Sequence, residues 1–357
     1  MNPLMIIMAV FAVLGALDRI FGNRFGLGKE LERGILIMGP AMLSMMGLLI
    51  LAPAIAVWIR PVTDAMGEWL PIDPSILPAS LFANDMGGAP LATDLARDPA
   101  VGGFNAMVVA SMMGCTVSFT LPFSLGIVPK EKHPQLLTGF LCGIVTIPVG
   151  CFVGGLFAHL PLTSLLIDLI PLALLAVLIG VGLLLAPNLC VKIFSVIGKG
   201  IQILITIGLI IGILEALTGV VLISEAERFL VAGEVILNIG AVLAGALPMV
   251  FFLSKLLSRP IAALGKRVSL SENATAGLLF TVATSTPTFE LMREMDDKGV
   301  VINAAFSISA AFVIADHLAY TLAFRPDYVL PMMVGKLVSG ICAVFVAFFV
   351  YQRVYAK

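Results

Sequence analysis

Charged residues are scarce in this chain of 357 residues. Lys, Arg, Asp and Glu make up 12% of it, about half of the ~25% that is usual for soluble proteins. Apolar residues make up 60%, and glycine adds a further 34 residues. So few charges can neither solvate a globule of this size nor form a basic face for nucleic acid. The composition predicts an integral membrane protein and excludes soluble enzymes and nucleic-acid-binding proteins.

Cysteine and histidine are also rare, with five and three residues. The cysteines form no CxxC pair, and the histidines, His133, His159 and His317, are far apart in sequence. Such spacing predicts neither a disulfide nor a zinc site, and the sequence contains neither HExxH nor GxSxG. We therefore expect no metal and no cofactor. An intramembrane enzyme is the least favoured alternative.

Long apolar runs fill the chain. About 20 apolar residues span the hydrocarbon core of a bilayer. Nine runs reach or approach that length, at 3–17, 35–59, 102–127, 136–158, 162–187, 201–223, 229–254, 299–323 and 328–351. The first lacks the positive n-region and the cleavage site of a signal peptide. The sequence thus predicts an all-α polytopic membrane protein with about nine transmembrane helices, and GxxxG motifs at 150–154 and 208–212 predict close helix packing.

Positive charges fall mainly in alternate loops of this nine-helix arrangement. Sixteen of the 21 Lys and Arg residues lie in one set of loops and four in the other, while Lys336 lies within a span. Cytoplasmic loops carry an excess of Lys and Arg. We therefore expect the N-terminus outside and the C-terminus in the cytoplasm.

Two segments, Ser80–Ala96 and Gly277–Met292, are too polar for lipid-facing helices and too apolar for loops. Each is interrupted by Gly, Pro, Ser, Thr or Asn, so backbone groups lose their helical partners there. Such backbone occurs at membrane depth only where it is buried in protein or lines a cavity. Paired broken segments in two halves of a chain are typical of a transporter binding site. We expect both segments to be re-entrant; the alternative is two amphipathic helices that lie in the interfaces.

The two halves of the chain correspond at a shift of about 198 residues. This shift aligns Arg60-Pro61 with Arg259-Pro260, and Asn105 with Asn303. It also carries the first four spans onto the last four, so the fifth span is left over as a connector. An odd connecting helix inverts the second unit relative to the first, as in alternating-access transporters.

These observations predict one membrane transport domain over residues 1–357. The domain consists of a first repeat at 1–160, a connecting helix at 161–192 and an inverted second repeat at 193–357.

Polar side chains in and after the broken segments form the predicted site. An acid within the membrane costs a few kcal/mol, so it is a functional candidate by default. Asp85 and Glu290 lie at or near the breaks and suit a cation, with a structural cap or ion pair as the alternative. Amide and hydroxyl neighbours can orient a small polar ligand. The predicted substrate-binding residues are Asn84, Asp85, Asn105, Ser285, Thr286, Glu290 and Asn303.

Asp316 and Lys336 lie at equal sequence distances before and after Pro326, where the last two spans turn. On antiparallel helices they would share a depth, which favours a structural ion pair. His317 titrates near neutral pH and could relay protons, or it could be a hydrogen-bonded packing residue. Coupling to H⁺ through Asp316 and His317, coupling to Na⁺ at the carbonyl-rich breaks and uniport are all left open, as is the oligomeric state. Glu215, in the sixth span, has no evident partner.

Three stretches carry a distinctive motif: ALDRIFGNRFGLGKELERG at 16–34, SLFANDMGGAPLATDLA at 80–96 and TVATSTPTFELM at 281–292. Through them, and over the whole chain, the sequence resembles the ethanolamine permeases of bacterial ethanolamine-utilisation operons, the EutH-type proteins. The resemblance implies ethanolamine uptake across the bacterial inner membrane. An amine of lysine-like pKa, about 10, is protonated at pH 7, which agrees with a site for a small cation. The residues alone indicate a transporter of such a solute, with a passive channel as the alternative.

Overall fold

The computed structural model describes residues 3–69, 71–267 and 270–355. In these ranges the regular structure is helical, and no strand occurs. The α-helices are α1 (Pro3–Ile20), α2 (Leu27–Leu36), α3 (Met38–Ala41), α4 (Gly47–Trp69), α5 (Ile76–Leu81), α6 (Gly88–Leu95), α7 (Pro99–Phe104), α8 (Leu121–Ile127), α9 (His133–Ile144), α10 (Ile147–Phe157), α11 (Leu162–Leu185), α12 (Pro187–Thr218), α13 (Phe229–Arg267), α14 (Glu272–Ala283), α15 (Thr286–Leu291), α16 (Asp297–Ala310), α17 (Asp316–Phe324) and α18 (Val329–Val354). The predicted all-α class is confirmed.

Eight helical stretches of the described residues are long and apolar enough to cross a membrane. They are Pro3–Ile20, Leu27–Ala65, Pro99–Ile127, Lys130–Phe157, Leu162–Leu185, Pro187–Thr218, Phe229–Leu256 and Pro326–Val354. These stretches match the first seven predicted spans and the last one. Large apolar side chains are exposed along their outer faces, for example Leu174, Leu178 and Leu184 on α11, as expected where lipid replaces water. The chain is a multi-pass membrane protein.

The predicted span at 299–323 is not one helix, so that part of the nine-span prediction is wrong. Helix α16 ends at Ala310 and α17 begins at Asp316. Phe312 between them has a φ of +64°, which is rare for a bulky residue. After its first residue, Gly299, the run contains neither glycine nor proline. Its break is therefore held by tertiary hydrogen bonds, which local sequence does not reveal.

Both segments that the sequence marked as interrupted are indeed broken helices. Helix α5 ends at Leu81 and α6 begins at Gly88, with Gly87 at a φ of 90° between them. A side chain at Gly87 would be strained by this φ and would also crowd Leu48. Helix α14 ends at Ala283 and α15 begins at Thr286, so two residues separate the two helices.

Several helix ends follow from local chemistry. Asp98 precedes α7, and its carboxylate accepts a hydrogen bond from the Ala100 N–H at 2.8 Å, with Pro99 in the first turn. Ser271 caps α14 in the same way through Ala274 N. Helix α12 ends at Thr218, and Gly219 follows it with a φ of 74°, the left-handed conformation that glycine adopts readily.

Helices from the two ends of the chain pack against each other. Helix α1 contacts α13, α4 contacts α12, α9 contacts α16, and α10 contacts α18. The GxxxG prediction is confirmed at both places. Gly208 and Gly212 face α4, and Gly150 and Gly154 face α18, with no room for a side chain at any of the four positions.

Close packing of α12 against α4 gives a stability prediction. A Cβ on Gly208 would overlap the carbonyl oxygen of Gly47, and overpacking a tight contact costs about 1–3 kcal/mol. We expect Gly208→Val to lower the midpoint of thermal unfolding in detergent by several degrees. Gly200→Val is the matched control, because Gly200 lies on the same helix with nothing within 4 Å of the added Cβ. Equal shifts for both variants would contradict this packing.

Candidate functional site

A cavity of about 300 Å³ lies where the three helix breaks meet. The first break provides Asp85, the second provides Thr284 and the adjoining Thr286, and the third provides Phe312 with Asp316 and His317 of α17. The remaining lining residues are Ile37, Pro40, Ala41, Ser44, Met45, Ala83, Met86, Cys115, Phe119, Ile239, Leu243 and Tyr320. The wall is thus mostly apolar, with a few polar groups that converge, which is typical of a small-molecule site.

The first break is fixed against a π-helical part of the third span, which runs through Asn105–Gly114 and Thr116–Thr120. The backbone N–H of Ala83 donates to Ser118 Oγ at 3.0 Å. A Cβ on Gly114 would overlap the Phe82 carbonyl oxygen, so the broken segment approaches this helix as closely as backbone allows. Asp85 follows directly, and its side chain, 18% exposed, reaches the cavity.

The second and third breaks hold each other. Where α14 ends, the carbonyl oxygens of Thr281 and Val282 accept hydrogen bonds from Phe312 N (3.1 Å) and Ile314 N (3.0 Å). Each break therefore uses backbone groups that the other leaves without helical partners. Thr288 adds a bond from its hydroxyl to the Gly277 carbonyl oxygen at 2.8 Å. As a result Thr284 and Asp316 lie at the same cavity wall.

Two carboxylates, those of Asp85 and Asp316, line the cavity. Neither Asp85 nor Asp316 forms a salt bridge with Lys or Arg in the described part of the chain. His317 Nε2 lies 3.9 Å from Asp85 Oδ1, which is beyond a hydrogen bond. The buried Nδ1 of His317 and the buried hydroxyl of Tyr320 also have no hydrogen-bond partner. This arrangement can accept a cation and, beside it, a polar group.

A larger cavity of about 660 Å³ adjoins the first and shares Ile37, Thr284 and Asp316 with it. It extends between α2 and α13 to Arg33 and Lys255. The larger cavity therefore connects the first cavity to the end of the molecule at which the membrane-spanning stretch Leu27–Ala65 begins.

Four of the predicted residues meet in the central cavity: Asp85, Thr286, Asp316 and His317. Asn84 and Ser285 lie next to these in sequence but do not line it. Both are fully buried, and neither the amide of Asn84 nor the hydroxyl of Ser285 has a hydrogen-bond partner.

Asn105 and Asn303 lie outside the cavity and tie helices together. Asn105 Nδ2 donates to Ser75 Oγ at 2.9 Å, at the start of α5. Asn303 Nδ2 donates to the Ala274 carbonyl oxygen at 2.9 Å, at the start of α14. Each asparagine thus fixes the broken segment that precedes its own helix. In this geometry the two amide groups join helices and do not line the central cavity.

Glu290 is not at the cavity either. It lies one helical turn beyond Thr286, and it is exposed; only its carbonyl oxygen is engaged, by Arg293 Nε at 3.0 Å. The break falls at 284–285, so α15 has already carried position 290 away from the cavity, by about 6 Å of helix rise.

The predicted Asp316–Lys336 ion pair does not form in this structure. Lys336 is buried, and its Nζ donates to the Ser111 carbonyl oxygen at 2.6 Å. The equal-depth argument assumed a continuous helix up to Pro326, whereas the chain unwinds at 311–315. Ser111 lies in the π-helical stretch Asn105–Gly114.

Glu215, for which the sequence offered no partner, pairs with Arg228 and accepts a hydrogen bond from Phe229 N. It lies in the last turn of α12, at the end of the span and not deep within it.

Sequence reasoning missed Thr284, Phe312 and Tyr320. Thr284 belongs to the second break and Phe312 to the third. The third break, at 311–315, had no sequence signal. Tyr320 follows Asp316 by four residues, a spacing that places both on one helical face. That signal was present in the sequence.

The family model described as "Ethanolamine utilisation protein, EutH" matches residues 1–350. A probable ethanolamine permease EutH from Listeria monocytogenes is 42% identical over 98% of this chain and 94% of its own length. A protein with the same name from Salmonella typhimurium is 36% identical over 96% and 94%. An uncharacterized protein, YxeR, from Bacillus subtilis is 36% identical over 96% and 92%. No solved structure matches the chain.

These matches cover nearly the whole chain and confirm the resemblance carried by the three motifs. The relatives named permeases agree with an apolar, multi-pass protein whose broken helices surround a cavity. The chain belongs to the EutH family of ethanolamine utilisation proteins.

Proposed function

We propose that this protein is a secondary transporter that takes up ethanolamine, as ethanolammonium, across the bacterial inner membrane. The observation that carries the proposal is the central cavity, in which neither Asp85 nor Asp316 forms a salt bridge with a described Lys or Arg residue. Membership of a family whose relatives are named probable ethanolamine permeases supports ethanolamine as the solute.

Electrostatics favours the protonated amine. Two carboxylates that face one cavity of low dielectric repel each other and attract a cation between them. An ammonium group has three hydrogen-bond donors and no acceptor, so it suits carboxylate oxygens. Phe119 and Phe312 also line the cavity, and aromatic faces attract cations.

The hydroxyl of ethanolamine has partners on the same walls. Thr284 and Thr286 can donate or accept, and the buried Tyr320 hydroxyl has no partner within the protein. A buried polar group without a partner is costly, so a bound hydroxyl would stabilise this arrangement. The cavity of about 300 Å³ holds a solute of this size together with water.

An inverted repeat and alternating access complete the proposal. The repeat comprises 1–160 and 193–357, joined by 161–192, and the shift of about 198 residues exchanges α1 with α12 and α4 with α13. The contacts support it, because α1 packs on α13 as α12 packs on α4. The Asn105 and Asn303 bonds to their preceding segments are a second related pair. The segments 76–95 and 272–291 are then re-entrant, from opposite faces.

The distribution of Lys and Arg supports an N-terminus outside and a C-terminus in the cytoplasm. With that orientation, the larger cavity opens from Asp316 toward Arg33 and Lys255 on the cytoplasmic face. The present conformation is accordingly inward-facing. A passive channel would instead require a continuous path to the other face.

Uptake measurements on three variants test the site. We expect Asp85→Asn and Asp316→Asn each to lower the initial rate of labelled ethanolamine uptake about tenfold or more, because a hydrogen bond to a charged group is worth about 1.5–3 kcal/mol. Glu290→Gln is the matched control, since Glu290 is exposed outside the cavity, and we expect nearly full uptake. Loss of uptake in Glu290→Gln with full uptake in both aspartate variants would contradict the assignment.

Cysteine labelling tests whether the solute occupies this cavity. In a variant without the five native cysteines, Thr284→Cys is expected to react with a small, cationic, membrane-impermeant thiol reagent, and ethanolamine is expected to slow the reaction. Thr288→Cys is the control, because Thr288 is fully buried and bonded to Gly277; it should not react. A Thr284→Cys rate that saturating ethanolamine leaves unchanged would place the solute elsewhere.

A further inference from the structure

A second acid, Asp168, is buried in α11, the helix that connects the proposed repeats. It is 2% exposed, and neither of its carboxylate oxygens has a hydrogen-bond partner. It lines a separate cavity of about 300 Å³ with Asp73, Arg97 and Ser164. The side chain of Asn105 lies beside it, and the buried Oδ1 of that asparagine has no partner either.

The other acids of this cavity are already engaged by the protein. Asp73 Oδ1 accepts from the backbone N–H and the hydroxyl of Ser75, and its Oδ2 accepts from the N–H groups of Arg97 and Asp98. Asp98 caps α7. Arg97 is directed to Asp64, through the carbonyl oxygen and the carboxylate. Asp168 is therefore distinguished from its neighbours by having no partner.

A buried carboxylate without hydrogen-bond donors or a counter-charge is strongly destabilising. One N–H of Asn105 Nδ2 donates to Ser75 Oγ. Its second N–H and the backbone N–H of Asp73 approach Asp168 but complete no hydrogen bond to either carboxylate oxygen, and the Asn105 oxygen is another acceptor. Three acceptor oxygens, two from Asp168 and one from Asn105, thus complete no hydrogen bond within the described part of the chain. A cation can interact with all three acceptor oxygens. Because only one of the groups, the Asp168 carboxylate, is charged, a cation with a single positive charge would be balanced.

We propose that Asp168, with the Asn105 side-chain oxygen, binds a small monovalent cation. The ligand is either a metal ion such as Na⁺ or an organic ammonium, since both present a single charge to oxygen acceptors. The site is distinct from the central cavity, with which it shares no lining residue. It lies near Pro71–Asp73, which follow the C-terminal end of α4. Arg33 precedes the N-terminal end of that helix. Asp168 lies about 9 Å along α11 from the first residue of the helix.

The site also touches the machinery of the first broken segment. Asn105 holds Ser75 at the start of α5, and α5 leads to the break that carries Asp85. A cation on Asn105 Oδ1 would therefore bear on the helix that positions Asp85. Binding itself can be measured without transport, so the test does not depend on the proposed function.

The experiment measures thermal unfolding of the purified full chain in detergent during titration with NaCl, and a parallel titration of the Asp168→Asn variant gives the non-specific effect of ionic strength. The starting protein is Asp85→Asn with Asp316→Asn, so that the central carboxylates do not contribute. We expect a saturable rise of the unfolding midpoint, because a ligand that binds only the folded state stabilises it. A second titration uses ethanolammonium chloride. Whichever cation gives the saturable rise identifies the ligand.

Adding Asp168→Asn to this background should weaken the apparent affinity at least about tenfold. Asp64→Asn is the control, because it removes an exposed acid near the same cavity, and the rise should persist. Asp168→Glu retains the charge but displaces it by one methylene, and a weaker, still saturable rise is expected.

Three results would overturn the proposal. The first is that neither cation changes the unfolding midpoint of the starting protein, which would mean that Asp168 is a neutral carboxyl group. This outcome can be measured even if the Asp168→Asn variant does not fold. The second is a saturable rise of equal affinity with Asp168→Asn. The third is a rise that Asp168→Glu leaves at unchanged affinity.

Discussion

The architecture depends on one constraint: backbone groups freed by a helix break inside an apolar core must find other partners. The second and third breaks meet this constraint mutually, because the N–H groups of Phe312 and Ile314 bond the carbonyl oxygens of Thr281 and Val282. The first break meets it against the π-helical third span, through Ala83 and Ser118. Since the breaks are fixed to one another or to a neighbouring helix, the polar residues that follow them converge on one cavity.

This constraint also explains why the cavity contains charge at all. A continuous helix would present side chains to lipid or to packed neighbours, where an unpaired acid is costly. A break positions Asp85 and Asp316 where backbone dipoles, hydroxyl groups and a water-accessible space surround them. In the proposed mechanism the solute's ammonium group completes the site, so binding relieves the repulsion that the empty cavity contains.

The sequence predicted more of the fold than of the site. Gly87 and the Ser, Thr and Pro residues at 284–287 mark two breaks directly, because these residue types interrupt helices or tolerate unusual backbone. The unwinding at 311–315 could not be predicted, since an uninterrupted apolar run is broken there by hydrogen bonds to α14. Asn105 and Asn303 each bond the broken segment that precedes their helix, but they do not line the central cavity. Glu290 was chosen because it lies within a few residues of the break in its segment, whereas its exposure depends on where α15 leaves the cavity. Asp168 is remote in sequence from both breaks, and only packing brings it beside Asn105.

The central claim is that ethanolamine crosses as a cation held by the central carboxylates. The most direct test is initial uptake of labelled ethanolamine into proteoliposomes that contain the purified protein, with an imposed inside-negative potential and no other ion gradient. The account predicts saturable uptake that rises with the potential, because net positive charge moves inward. Saturable uptake that is indifferent to the potential would contradict it, since neutral amine or an electroneutral exchange would then be transported.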